Sequence, residues 1–201
     1  MNLSKISNMQ IAKKYGKEYW DGDRKYGYGG YKYINNYNKS TVKALIKKYN
    51  LNRNEKVLDI GCGKAYLLYD LYNYNKNLKV YGLDISKYAK IKSLIPNKKN
   101  YLIFDLNKKK SLPYKDNFFD LVICSGTLHN LSLNAIIFNL NEINRISKKS
   151  IIMVESFRND KELFNLQCWA LTCQSFLHTK DWNYLIKTYS PNSYLEFIFF
   201  K

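Results

Sequence analysis

The chain has 201 residues, 46% hydrophobic and 16% aromatic, enough for one domain that buries roughly 70% of its unfolded surface. No apolar run approaches a membrane span and residues 1–10 are polar, which excludes a helical membrane protein and makes the cytoplasm the expected location. The net charge of +17 invites a nucleic-acid reading, yet only Arg24, Arg53, Arg145 and Arg158 of the 33 basic residues are arginines. The lysines are scattered apart from Lys108-Lys109-Lys110, so a solvated surface is the simpler reading.

Apolar and aromatic residues at helical spacing (Ile11, Ala12, Tyr15, Tyr19, Trp20) predict a helix over 8–20, broken by Asp21-Gly22-Asp23. The stretch from Lys25 to Tyr33 alternates glycines with tyrosines, which suits neither a helix nor a central strand. Residues 1–39 are read as an N-terminal arm carrying a Tyr/Gly-rich lid, with Tyr26, Tyr28 and Tyr31 as candidate substrate contacts. Ser40 is the expected cap of a helix running to Tyr49.

Next comes the pivotal stretch, Val57-Leu58-Asp59-Ile60-Gly61-Cys62-Gly63-Lys64-Ala65. An apolar strand ends near an acid, turns on two glycines and enters a helix-spaced run, as in the first turn of a nucleotide-binding α/β unit. A Cβ at position 61 or 63 would hold a ligand away from the backbone. A second strand ends at Asp84, placed to accept hydrogen bonds from ribose hydroxyls. The dinucleotide pattern G-x-G-x-x-G is not met, because Tyr66 stands in the third glycine's place.

Ser86 should cap a short helix that Pro96 stops. Tyr101 to Asp105 reads as the third strand and Leu121 to Cys124 as the fourth. An amphipathic helix over 131–146 leads to a fifth strand, Ile151 to Val154, that ends at Glu155-Ser156. A small helical cap is expected at about 160–188, and an aromatic strand from Tyr194 to Phe200 closes the chain. The fold class is therefore α/β, a doubly wound, mostly parallel Rossmann-like sheet with helices on both faces and an antiparallel last strand. Cys62, Cys124, Cys168 and Cys173 form no C-x-x-C pair and only His129 and His178 accompany them, so no metal site is expected.

Asp59-x-Gly61-x-Gly63-x-Ala65 resembles motif I of the class I S-adenosylmethionine-dependent methyltransferases. The stretch from Leu112 to Val122 is similar to a passage before the fourth strand of small members, and Asn141 to Ile146 to the helix before their fifth. The resemblance covers about residues 40–157 and places the methyltransferase domain at 40–201. Lys148-Lys149-Ser150 replaces the family's usual turn there.

The resemblance implies S-adenosyl-L-methionine as cofactor. It assigns cofactor binding to Asp59, Gly61, Cys62, Gly63, Asp84, Ile85, Asp105, Leu106 and Ser125, with Asp84 on the ribose and Asp105 at the adenine. His129, just past the fourth strand, is a candidate base and substrate contact. Glu155 and Arg158 flank the fifth strand's end and are candidates to hold a polar or anionic acceptor. The expected activity is methyl transfer to a small polar metabolite, a sugar-type hydroxyl being one acceptor. An RNA methyltransferase using the basic surface and a non-catalytic cofactor-binding subunit are the alternatives. No membrane partner is expected, and oligomeric state has no signature in the sequence.

Overall fold

The structure is a computed structural model that describes residues 3–201, so the first two residues of the expected arm lie outside it. In chain order the elements are α1 (Leu3–Ala12), α2 (Lys17–Asp21), α3 (Lys39–Tyr49), β1 (Lys56–Ile60), α4 (Tyr66–Tyr74), β2 (Lys79–Asp84), α5 (Lys87–Lys92), β3 (Tyr101–Ile103), β4 (Leu121–Ser125), α6 (Leu133–Ile146), β5 (Ser150–Glu155), α7 (Asp160–Trp169), α8 (Thr179–Tyr189) and β6 (Ser193–Ile198). The six strands form one sheet in the order β3-β2-β1-β4-β5-β6, and every neighbouring pair is parallel.

Parallel strands must be covered on both faces, and the strand sequences supply an apolar side chain to each. Val57, Leu121 and Ile123 pack with Val42, Leu45 and Ile46 of α3 and with Leu68 and Leu71 of α4. Their neighbours Leu58, Val122 and Cys124 point the other way, onto Ala135, Ile136, Leu140 and Ile143 of α6 and Trp182 and Leu185 of α8. Strand order reverses between β1 and β4. At such a switch point the connecting loops part and leave a crevice at the carboxyl ends of the strands.

The last strand corrects the antiparallel expectation: β6 runs parallel to β5, with Ser150 opposite Ser193 and Glu155 opposite Ile198. The turn at Pro191-Asn192 does not reverse a hairpin. It follows α8, which has already carried the chain back along the sheet, as a parallel crossover requires. The single helix expected over 8–20 is two, α1 and α2, separated where Tyr15 adopts φ 48° ahead of Gly16. Helix α3 starts one residue before Ser40. Asn38 stands at its cap but spends its side chain on Asp70, 2.8 Å away. Ser86 caps α5 as expected, accepting from the Ala89 N–H.

The loop between β3 and β4 is pinned to α6 through a buried acid. Glu142 accepts from the Leu112 N–H at 2.7 Å and from Arg145 Nε and Nη2 at 2.8 and 2.7 Å. Arg145 also donates to the carbonyls of Tyr114 and Leu112. Arg145→Ala would leave the Glu142 carboxylate buried without its cation and release the loop, costing about 2–3 kcal/mol in urea unfolding; a loss below about 0.5 kcal/mol would mean the loop is held by packing alone.

Candidate active site

A cavity of about 840 Å³ opens at the carboxyl ends of the strands, over the switch point between β1 and β4. Its floor is the β1–α4 turn. Gly61 and Gly63 sit there at φ 80° and 52°, backbone positions that favour glycine. A Cβ on Gly61 would run into the Thr127 side chain, and one on Gly63 would lie 2.6 Å from the Trp20 ring. The turn is tied to the sheet where the N–H groups of Gly61 and Cys62 donate to the Leu83 carbonyl.

Two carboxylates stand at this floor. Asp84 ends β2 and is 7% exposed; one oxygen accepts from the Gly63 N–H and the other from the Ser86 N–H, each at 2.8 Å. Burial raises its pKa while those N–H groups pull the other way. A carboxylate offers about four lone-pair sites, so each oxygen keeps capacity for a ligand donor. Asp59, also 7% exposed, lines the cavity with no side-chain hydrogen bond or ion pair among the described residues. Burial, then the charge on Asp84, pushes its carboxyl up to about 7. An acid so placed awaits a cationic or hydrogen-bond-donating partner.

The other expected cofactor positions also line the cavity. Cys62 is buried beside the turn, and Ile85 and Leu106 lie with Phe104 along the β2–β3 side. Asp105 is half-buried and uses one oxygen to accept from the Asn107 N–H. Ser125, at the end of β4, is exposed to the cavity and stands 3.6 Å from the Met153 sulfur.

At the far wall, His129 and Glu155 lie against each other. The Glu155 N–H donates to His129 Nδ1 at 3.3 Å, which places the ring proton on Nε2, 3.4 Å from Glu155 Oε2. Both ring nitrogens therefore face one residue. Burial pushes His129 down to about 4 and Glu155 up to about 7.

The N-terminal arm roofs the cavity, and a buried cation latches it down. Lys64, 4% exposed within the glycine turn, donates to both Asp21 oxygens at 2.6 and 2.8 Å and to the Tyr31 carbonyl at 2.6 Å. Burial would raise the Asp21 pKa, but the hydrogen bonds from Lys64 and Tyr88 bring it below its usual value. Trp20 donates to Ser86 Oγ at 2.9 Å and stacks on Tyr28 with ring centres 5.2 Å apart.

Of the substrate candidates, Tyr28, Tyr31, His129 and Glu155 line the cavity; Tyr26 and Arg158 do not. Tyr26 has Lys25 over its ring, and Arg158 pairs with Glu162 and lies over Phe199. Among the lining residues not singled out from sequence are Tyr15, Trp20, Thr127 and Thr172. Tyr15 and Trp20 were legible only as helix-face residues, and Thr127 and Thr172 lie in loops with no periodic signal.

The chain matches a protein family, and its fold is shared with solved structures. The family model described as "Methyltransferase domain" matches residues 51–193. No curated protein sequence matches the chain. Among solved structures, a putative methyltransferase from an antibiotic biosynthesis pathway of Anabaena variabilis is 18% identical, with a TM-score of 0.60 over 76% of this chain and 61% of that one. A SAM-dependent methyltransferase from Archaeoglobus fulgidus is 22% identical, with a TM-score of 0.53 over 76% and 68%. A putative methyltransferase from Haloferax volcanii, solved in complex with the Trm112 methyltransferase activator, is 16% identical, with a TM-score of 0.55 over 74% and 71%.

The raised Asp59 carboxyl sets a pH dependence of stability. The folded chain binds that proton more tightly than the unfolded chain, so stability is full below about pH 4 and falls as pH rises through 7. Asp59→Asn removes the titration. In thermal melts of the ligand-free protein it should be the more stable form at pH 8 by roughly 2 kcal/mol, about 4–8 °C, with the gap closing at pH 5. An equal gap at both pH values would show that Asp59 is not held protonated by burial.

Proposed function

From the premise that this chain belongs to the methyltransferase domain family, as a class I S-adenosylmethionine-dependent methyltransferase, we propose that it methylates a small polar metabolite held between the cofactor and Glu155. What carries the reading is the division of the cavity. Asp59, Asp84 and Asp105 stand along β1, β2 and β3 at one side, and Glu155 stands at the other beyond Ser125.

The residues present fit S-adenosylmethionine. Asp59 is a buried acid without a partner, suited to the positive methionine end. Asp84 has lone pairs left for ribose hydroxyls, and the glycine turn lets backbone approach closely. Ile85, Phe104 and Leu106 offer apolar surface for a flat base, with Asp105 beside them to accept from an amino group. Bound there, the cofactor supplies a methyl group on a positive sulfur, which an acceptor heteroatom takes as the carbon–sulfur bond breaks with its electron pair left on sulfur. The chain's part is alignment, exclusion of water by the latched tyrosine arm, and a proton acceptor at the far wall.

A small acceptor suits the cavity better than RNA. Arg24 and Lys25 are the two cations in its lining, Lys25 paired with Asp23, while four acids face inward. Phosphates would be repelled from such a wall.

Asp84→Asn keeps the size of the side chain but halves its acceptors. Calorimetry should show S-adenosylmethionine binding weakened about 10-fold or more, with the thermal transition of the ligand-free protein retained. An unchanged affinity would remove Asp84 from the ribose site.

A further inference from the structure

The acceptor end of the cavity carries a chemical preference of its own. The chain bears a net charge of +17, yet the cavity lining inverts it: Asp59, Asp84, Asp105 and Glu155 face the space. The two cations in the lining are already engaged, Arg24 with the Gly27 carbonyl and the Trp169 ring, and Lys25 with Asp23. Four acids outnumber these two cations, a balance that disfavours an anionic acceptor. If the three aspartates serve the cofactor, as the proposed function has it, Glu155 is left over.

Glu155 is built to receive a ligand. Its peptide N–H donates to His129 Nδ1 and its Oε2 lies 3.4 Å from His129 Nε2, while Oε1 has no partner among the described residues. The carboxylate ends β5, a strand paired on both sides by β4 and β6, so its backbone position is set by the sheet and not by a loop. The arm and the loop after α7 close around it. Tyr28 and Cys173 are near enough to feel its charge, and Tyr28 presents a half-exposed ring to the cavity. A carboxylate in a cavity whose lining also includes the Tyr28 ring suits a positively charged nitrogen, through its charge and through the ring face.

His129 cannot compete for the same task. With Nδ1 accepting from the Glu155 N–H, its only lone pair is used, and Nε2, 3.4 Å from Glu155 Oε2, carries the ring proton. The imidazole has nothing left with which to take a proton from an acceptor.

We infer that the methyl acceptor is a primary or secondary amine, that Glu155 binds it as the ammonium and takes its proton, and that His129 serves only to hold Glu155 in place. The inference rests on the methyltransferase reading of the same cavity. The ammonium gives one N–H proton to Glu155 Oε1. The nitrogen lone pair so freed forms the bond to the methyl carbon, the carbon–sulfur pair remains on sulfur, and the product leaves as an N-methylated ammonium. Burial that keeps Glu155 near 7 leaves it ionised often enough to bind the cation and basic enough to hold the proton.

The test uses the full chain, methyl-tritiated S-adenosylmethionine and a small-molecule extract in two forms, untreated and acetylated in water with an N-hydroxysuccinimide ester. That treatment caps amines and leaves alcohols free. The inference expects label transfer into the untreated extract and a drop of about 10-fold or more in the capped one. Glu155→Gln, which keeps shape but not charge, should lower transfer about 100-fold. Its binding of S-adenosylmethionine, read by calorimetry, should stay within about two-fold of the parent, which also shows that it folds. Equal transfer into both extracts, or full transfer by Glu155→Gln, overturns the amine assignment and leaves the methyltransferase reading standing. Absence of transfer into either extract, with S-adenosylmethionine bound, removes the small-metabolite reading and the amine with it.

Discussion

Burying a carboxylate with nothing to pair it is among the more costly things a fold can do, and Asp59 is such a carboxylate. It lies on a central strand, beside a second buried acid, at the point where strand order reverses. Much of the surrounding architecture follows from keeping that spot open yet dry. The glycine turn spares it a side chain, the Gly63 and Ser86 amides satisfy Asp84 and leave Asp59 alone, and the tyrosine arm limits water above it. A core residue would gain nothing from such an arrangement. A site for a positive ligand would, because the ligand repays the desolvation when it binds.

The arm is coupled to the same turn. Lys64 follows directly on Gly63, and its buried ammonium holds Asp21 and the Tyr31 carbonyl. Trp20 packs where a Cβ at position 63 would stand and reaches across to Ser86. The glycine turn at the cavity floor and the roof above it are thus one hydrogen-bonded unit. Whatever displaces the arm must break a nearly buried ion pair, so opening and ligand entry are linked. Apart from Lys64 in this latch and Arg24 and Lys25 in the lining, the chain's positive charge lies outside a cavity faced by four acids.

How far the sequence discloses this varies with the physics involved. The β1–turn–α4 unit was legible because apolar run, acid and paired glycines must be adjacent in the chain to work at all. The strand–helix alternation and the acids at 59, 84 and 105 follow from the same local logic. The direction of β6 was not legible. Its residues pair with β5 either way, and only the return path through α8 decides between them. The fates of Tyr26 and Arg158 depend on long-range geometry, since each lies within a few residues of a cavity wall yet turns away from it. The Lys64–Asp21 pair joins residues far apart in the chain with no spacing rule to betray it. His129 looked like a base from its place after β4. That its Nδ1 accepts from the Glu155 N–H, with Oε2 3.4 Å from Nε2, is visible only once β5 is set beside it.

The central claim, that Asp59 is held for a cation, makes a direct thermodynamic statement about protons. A carboxyl pushed up to about 7 in the empty cavity should give up its proton when a positive ligand arrives. Calorimetry of S-adenosylmethionine binding at pH 6.5, repeated in buffers of different ionisation enthalpy, counts that proton. The account predicts a net release that disappears in Asp59→Asn; binding without release, or the same release in that variant, would contradict it.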